Sequence, residues 1–209
     1  MTKKDFDSIM RITAYLTIIS AAAYISLTNS TFNLVTVSRS ASSAFTIVSV
    51  FWWFYFKWGW KLKIFSWILY RPNLNGTWSG TLESDFMKDG VRIPIKQFHI
   101  VVRHSFLTLH VKTYTESYTG VSYVEAIKFK EAVGLKKLVY LYRQETSQNL
   151  ESASQLGGAE LELLGPDLKR LAGKYWTNTK TQGEIKLEFV SDKQVDSFED
   201  AVNLRNNGK

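Results

Sequence analysis

The sequence predicts a membrane-anchored all-β protein, in which two N-terminal transmembrane helices precede a small, roughly eight-stranded antiparallel up-and-down β-barrel. Three observations predict this fold. Two long uncharged runs lie in the first third of the 209-residue chain. Tryptophans and lysines crowd together at the end of the second run. Beyond residue 76, apolar and polar side chains alternate with a period of two.

The two uncharged runs are long enough to cross a bilayer. The first holds 27 residues after Arg11, and the second holds 17 residues after Arg39. A transmembrane helix needs ~20 mainly apolar residues. We therefore predict one span over about residues 9–28 and a second span within residues 34–62. The alternative is that both runs are core helices of a soluble protein. Two such helices would present more apolar surface than so small a partner domain can cover.

The stretch at 49–65 reads SVFWWFYFKWGWKLKIF and holds four of the seven tryptophans within nine positions. Tryptophan favours the headgroup layer, where its ring is half buried and its N–H is wet. Lys57, Lys61 and Lys63 can run their methylenes along the apolar zone and place their ammonium groups among phosphates. The stretch therefore predicts the end of the second span and an interfacial anchor, which completes a membrane unit over residues 1–71.

The basic excess of the chain belongs to this membrane unit. Residues 1–73 carry eight Lys/Arg and two Asp/Glu, whereas residues 74–209 carry eighteen and seventeen. A basic flank on apolar runs indicates a membrane surface, so we expect no DNA or RNA partner. Lysines and arginines precede the first span and follow the second, which predicts that both termini are cytoplasmic. A cleaved signal peptide is the alternative for the first run.

The barrel is predicted over residues 72–191, from eight segments with strand patterns. In order, these are TWSGTLES, VRIPIKQFHIVVRH, FLTLHVK, SYTGVSYVEAIKFK, KKLVYLYRQ, AELELL, LAGKYWT and GEIKLEFV. Pro94 indicates an edge or a bulge near the start of the second segment. In the third segment, alternation predicts that Leu107, Leu109 and Val111 point inward.

Three further segments are assigned from turn and polarity signals. The KDG sequence at 88–90 predicts a turn. Residues 145–158 predict the one long polar loop. Residues 192–209 predict a polar C-terminal tail, either a short helix or disordered chain.

Enzyme signatures are poor in this sequence. It has no cysteine, and it contains no HExxH, GxSxG, GxGxxG or phosphate-loop pattern. Its three histidines fall in two adjacent predicted strands, where ordinary strand positions explain them. We therefore expect no enzyme activity, no catalytic residue, no metal site and no cofactor.

A binding signal comes from one face of the predicted strands, which is rich in aromatic and hydroxyl groups. Its members are Trp78, Tyr123, Tyr140, Tyr142, Tyr175 and Thr177. Aromatic rings in a barrel mouth can stack on bases, and Arg103 can meet a phosphate. A packed core with tyrosine hydroxyls at its rim explains the same composition equally well. The inward face is also undetermined where alternation fails, as at 97–104.

Taken together, these features resemble a known family. Two spans and a basic connector precede LNGTWSG, which opens the barrel, and LAGKYWTNTKTQGEIKLEF lies near its end. The layout resembles the two-transmembrane β-barrel effectors of bacterial CBASS antiphage operons, the CD-NTase-associated protein 15 family. The specific elements are G-x-W-x-G, beginning at Gly76, and G-x-Y-x-T-x(3)-T-x-G, beginning at Gly173.

The resemblance implies a function and site residues. It implies that the barrel binds a cyclic dinucleotide, with Tyr175, Thr177 and Thr181 as the motif positions nearest the ligand. Trp78 is expected either to stack on a base or to plug the barrel floor, with the plug favoured. To these we add Arg103, Tyr140 and Tyr142, from their face and charge rather than from the motif.

The resemblance also implies the partners and the location. A partner cyclase (CD-NTase) would make the cyclic dinucleotide, which serves as the activating ligand. The protein would then form a homo-oligomer through its spans in the lipid bilayer of the bacterial inner membrane, and the membrane would fail before phage mature. Three alternatives remain: a membrane-anchored lipocalin-like binder, a membrane scaffold with a filled barrel, and a membrane-bound hydrolase.

Overall fold

The computed structural model of this chain describes residues 3–28, 33–65, 67–69, 71–130, 134–146 and 155–207. The chain divides into two compact units, residues 1–73 and residues 74–209.

The first unit is built on two packed helices. Helix α1 spans Lys3–Thr28 and helix α2 spans Leu34–Lys57, and both are long and apolar enough to cross a membrane. Asn33 caps α2, because its side chain accepts a hydrogen bond from the backbone N–H of Thr36 at 2.8 Å. The two predicted apolar helices are therefore confirmed.

Small and polar side chains hold α1 and α2 together. Ser20, Ser40 and Ala44 are buried, and small residues allow two helices to approach closely. Trp52 Nε1 donates a hydrogen bond to Thr13 Oγ1 across the helix pair at 3.0 Å. Such interhelical hydrogen bonds stabilise helix pairs where no water competes.

Tryptophans and a lysine at the C-terminal end of α2 contact one another. The Lys57 ammonium lies 4.5 Å from the ring centroid of Trp58 and 5.1 Å from that of Trp53. Cation–π attraction of this kind holds an ammonium beside an aromatic face. The 3₁₀ turns Gly59–Lys61 and Lys63–Phe65 follow. The position of this segment at a membrane interface stays a prediction.

The second unit is a closed barrel of eight antiparallel strands, as predicted. The barrel strands are β1 (Gly76–Ser84), β4 (Lys96–His104), β5 (Leu109–Tyr114), β6 (Tyr118–Lys130), β7 (Leu135–Thr146), β8 (Gln155–Leu164), β9 (Arg170–Thr177) and β10 (Gln182–Ser191). Each barrel strand pairs with the next one along the chain from β4 to β10, and β1 closes the barrel by pairing with β10 and β4.

The segment predicted as one strand over 91–104 is two strands, so that prediction is wrong at its start. Strands β2 (Met87–Lys88) and β3 (Val91–Arg92) pair with each other in a separate hairpin. Their turn falls at Asp89 and Gly90, at the predicted position, with φ of 53° and 77°. Pro94 separates β3 from β4, because proline has no N–H to donate to a ladder.

Two smaller predictions in the barrel are also wrong. Leu107 does not point inward but is 77% exposed, because it lies in a turn closed by a hydrogen bond from Ser105 N to Thr108 O. The loop predicted over 145–158 is too long at both ends, since β7 reaches Thr146 and β8 begins at Gln155. Residues 147–154 of that loop lie outside the described part of the chain.

One end of the barrel is filled by side chains, and we call it the filled end. The chain enters the barrel there at Gly76, whose φ of 127° is a conformation that favours glycine. Trp78 is 1% exposed and donates its Nε1–H to the carbonyl oxygen of Leu74 at 3.0 Å. The edge of the Phe189 ring packs against it, with the centroids 5.3 Å apart.

The C-terminal tail forms helix α3 (Phe198–Asn207) on the outer surface of the barrel unit. Ser197 Oγ caps it by accepting a hydrogen bond from Asp200 N at 3.0 Å. The Phe198 ring meets the His99 ring edge-on, 5.2 Å between centroids. Of the two alternatives for the tail, the helix is therefore the one that forms.

Candidate functional site

A cavity opens at the other end of the barrel, which we call the open end. Its volume is about 120 Å³, which is smaller than the ~300–1,000 Å³ typical of small-molecule sites. The barrel interior is therefore not filled along its whole length. The lining residues are Leu82, Ser84, Ile93, Lys96, Phe98, Thr113, Thr115, Tyr118, Tyr140, Tyr142, Gln144, Gln155, Tyr175, Thr177, Thr181 and Ile185.

The cavity becomes less polar with depth. Alternate residues of each strand share the inward face, so the change can be followed along one strand. Along β7, Gln144 lies at the mouth, with Tyr142 and then Tyr140 below it. The next inward residue, Leu138, belongs to the buried core. A ligand in this cavity would therefore meet amides and hydroxyls first and aromatic rings further in.

Two glycines make room for the cavity tyrosines. A Cβ atom on Gly157 would lie 2.6 Å from the Tyr142 hydroxyl, and one on Gly183 would lie 2.8 Å from Cε1 of Tyr175. Any larger residue would have to displace these rings, and at Gly183 it would also collide with the backbone carbonyl oxygen of Glu83 on the paired strand. Gly183 is the last glycine of the G-x-Y-x-T-x(3)-T-x-G pattern, so the pattern couples the tyrosine to the space that it needs.

The cavity tyrosines are neutral at physiological pH. Burial raises the pKa of Tyr142 to about 12, and it also raises the pKa of Tyr140. Burial raises the pKa of Tyr175 too, although a hydrogen bond with Ser84 partly opposes the shift. The phenols therefore bring O–H donors to the cavity without a negative charge that would repel a phosphate.

Positive charge enters the cavity at Lys96. Among the lining residues that the structure describes, it is the only charged one, and it is exposed at the mouth on the first residue of β4. A lysine ammonium is a mobile point charge that suits a phosphate group. The cavity thus has a cationic rim on one strand and a neutral interior.

A hydroxyl cluster lies at the mouth where β9 turns into β10. Thr177 Oγ1 is 2.6 Å from Thr181 Oγ1 and 2.9 Å from Thr179 Oγ1. Thr177 N also donates to the carbonyl oxygen of Thr181 at 2.9 Å. The Gln155 side-chain amide donates to Thr179 Oγ1 and so ties the turn to β8. These hydroxyls present donors and acceptors on the side of the mouth formed by β8, β9 and β10.

The structure brings together five of the seven predicted ligand-binding residues. Tyr140, Tyr142, Tyr175, Thr177 and Thr181 all line the cavity. They come from two strands, β7 and β9, and from the turn between β9 and β10. Their contact with a ligand stays a prediction.

The structure places the other two predicted residues elsewhere. Trp78 lies in the filled end, which agrees with the plug alternative. Arg103 is on the outer face of β4, half exposed, with its guanidinium 3.3 Å from the Asp196 carboxylate. Tyr123, from the same aromatic set, is 54% exposed on the outside. Neither Arg103 nor Tyr123 lines the cavity.

Sequence reasoning missed Lys96 as a lining residue. The signal was present, because Lys96 lies two residues before Phe98 and so shares its inward face. It was hidden because His99 and Val101, on the outer face of the same strand, are buried too. A strand that is buried on both faces shows no clear alternation.

Comparisons with known proteins point to the same region of the chain. Residues 69–188 match the family model described as Cap15, cyclic dinucleotide receptor domain. The chain is also 26% identical to CD-NTase-associated protein 15 from Staphylococcus schleiferi over 134 residues, which cover 64% of this chain and 68% of that protein. The matched segment contains all the barrel strands except the last residues of β10.

Proposed function

This chain belongs to the Cap15 cyclic dinucleotide receptor family, and we propose that it is the effector of a CBASS antiphage defence system. Its barrel cavity binds a cyclic dinucleotide made by a partner cyclase. The observation that carries the proposal is the open cavity itself, lined by tyrosines and hydroxyls and entered past Lys96. A filled barrel would have favoured the scaffold alternative.

The cavity chemistry suits the parts of a cyclic dinucleotide. Bases are flat and aromatic, so they stack on rings such as those of Tyr142 and Tyr175, at ~1–3 kcal/mol per base. Phosphates are charged and costly to bury, so they remain at the mouth near Lys96 and the hydroxyls of Thr177 and Thr181. This arrangement leaves the ligand's charge partly in water and its bases inside.

The two apolar helices anchor the protein in the bacterial inner membrane, with both termini in the cytoplasm. Ligand binding must favour the assembled form of the protein over the dispersed form, since a ligand with equal affinity for both shifts nothing. Confinement to a membrane raises the effective concentration of the helices. Homo-oligomerisation of α1 and α2 then disrupts the membrane and aborts the infection.

Dye release from vesicles tests the proposal. The full chain is reconstituted in phospholipid vesicles loaded with a self-quenching dye, and a panel of cyclic dinucleotides is added. We expect release, together with cross-linked oligomers, for at least one member of the panel. Tyr175→Ala should abolish both, whereas Trp176→Ala, its exposed neighbour on the outer face of β9, should abolish neither. Binding without assembly or dye release would support the receptor role and contradict the proposed membrane mechanism.

A further inference from the structure

The floor of the cavity holds a polar atom that the protein leaves without a partner. Tyr140 is 1% exposed, lines the cavity, and has no hydrogen-bond partner for its hydroxyl among the described residues. Buried hydroxyls are almost always paired, because an unpaired one has lost its water without compensation. An unpaired hydroxyl on a residue that lines a cavity is a candidate for a hydrogen bond from a ligand.

The ligand group that reaches Tyr140 is identified by the chemistry of its surroundings. Tyr142 and Tyr175 lie beside the path inward, and the next inward residue on β7 is the buried Leu138. A phosphate taken to this depth would lose its water without meeting a cation, since Lys96 lies at the mouth. A nucleobase is neutral and flat, and its edge carries hydrogen-bonding groups.

We propose that the Tyr140 hydroxyl hydrogen-bonds the edge of the more deeply inserted base and thereby determines which cyclic dinucleotide the barrel accepts. The inference rests on the proposed function, because it assigns a specificity-determining contact within the same cavity. A site built to hydrogen-bond a ligand group discriminates strongly against ligands that leave its buried partner unpaired. The phosphates, by contrast, are common to every cyclic dinucleotide and carry no base preference.

The chain provides a matched control for this hydroxyl. Tyr114 is 3% exposed, and its hydroxyl likewise has no hydrogen-bond partner in the part of the chain that the structure describes. It pairs across the strands with His99, on the outer face of the barrel, so it does not line the cavity. Tyr140→Phe therefore removes an unpaired hydroxyl from the inner face of the barrel, and Tyr114→Phe removes one from the outer face.

The test is calorimetric titration of the full chain in lipid nanodiscs with 3′,3′-cyclic dinucleotides that combine adenine, guanine, cytosine and uracil. Tyr140→Phe should weaken binding of the preferred ligand at least ~10-fold, which corresponds to the loss of one hydrogen bond. It should also reduce the spread of affinities across the panel. Tyr114→Phe should leave every affinity within about twofold of the wild type. Both variants should melt at or slightly above the wild-type temperature without ligand, because each removes an unpaired buried hydroxyl.

The possible outcomes separate the two proposals. If the wild type binds a cyclic dinucleotide and Tyr140→Phe binds it equally well with the same preferences, the specificity role is wrong and the receptor role stands. If Tyr140→Phe weakens all members of the panel equally, the hydroxyl does not read a base, and the inference is likewise wrong. If the folded wild type binds no member, both the proposed function and the inference fail.

Discussion

The two ends of the barrel are made by the same eight strands, yet they differ in what fills them. At the filled end, the inward positions carry large apolar side chains around Trp78, whose one polar atom is paired with Leu74. At the open end, the inward positions carry tyrosines, threonines and glutamines around a cavity. The comparison teaches that the barrel has a packed interior at one end of its axis and a polar-lined cavity at the other, and we propose that the cavity is the binding site.

This separation has a physical reason. Packing a barrel interior with apolar groups stabilises the fold, whereas a cavity lined by polar groups forgoes part of that stabilisation. Concentrating the packing at the end where the chain enters the barrel leaves the opposite end available for a ligand. Substitutions at the filled end should therefore change stability, and substitutions at the open end should change binding.

The largest expected effect is the loss of stability on Trp78→Ala. Removing a fully buried tryptophan leaves a cavity, which costs about 3–5 kcal/mol in the free energy of unfolding. Denaturant unfolding of the full chain in detergent measures this loss. Trp176→Ala, which removes a tryptophan that is 44% exposed on the outer surface, is the control and should cost much less. A loss below about 1 kcal/mol for Trp78→Ala would contradict the plug.

The next effect concerns pH and the outer face beneath α3. His99 is 0% exposed, with neither ring nitrogen hydrogen-bonded among the described residues, and burial together with the Arg205 charge lowers its pKa from 6.5 to about 4. The unfolded chain therefore binds more protons than the folded chain between these values. Protonation of His99 should leave the free energy of unfolding unchanged above pH 6.5. As the pH drops towards 4, the free energy of unfolding should fall by roughly 3 kcal/mol in all.

Unfolding curves at several pH values measure this slope. His99→Leu should flatten it. An unchanged slope in His99→Leu would show that other groups set the acid sensitivity. Ligand affinity should be unaffected by His99→Leu at neutral pH, since His99 does not line the cavity.

A smaller effect is expected from the charge at the mouth. Lys96→Ala should weaken the binding of all cyclic dinucleotides by a similar factor, about 10-fold. The reason is that the ammonium is expected to interact with the phosphates, which every member of the panel shares. Titrations at two salt concentrations should also show a weaker salt dependence than in the wild type. Arg103→Ala, at a residue paired with Asp196 on the outside, is the matched control and should change affinity by less than about twofold. A larger effect of Arg103→Ala would contradict the position of the site.

Much of the fold could be predicted from local patterns. The uncharged runs indicate α1 and α2, and the alternation along β7 places Tyr140 and Tyr142 on one face. Prediction failed where a strand is buried on both sides. Along β4, the inner residues face the core, and outer residues such as His99 lie beneath Phe198 of α3. Apolar and polar residues therefore do not alternate regularly along this strand.

The candidate site was predictable only in part for the same reason. The motif and the aromatic face identify residues on β7, β9 and the β9–β10 turn that the closed barrel brings together. Arg103 was chosen for its charge, yet it lies on the outer face of β4, and Lys96 provides the cation instead. Charge alone does not determine the direction of a side chain; the strand register does, and that depends on contacts from distant parts of the chain.

The most direct test of the central claim is calorimetric titration of the folded wild-type chain in nanodiscs with the full cyclic dinucleotide panel. We predict that at least one member binds with a dissociation constant of roughly micromolar or tighter. Tyr175→Ala should abolish that binding while the variant still folds. Absence of binding across the panel by a folded wild-type chain, or undiminished binding by Tyr175→Ala, would contradict the assignment of the cavity as the ligand site.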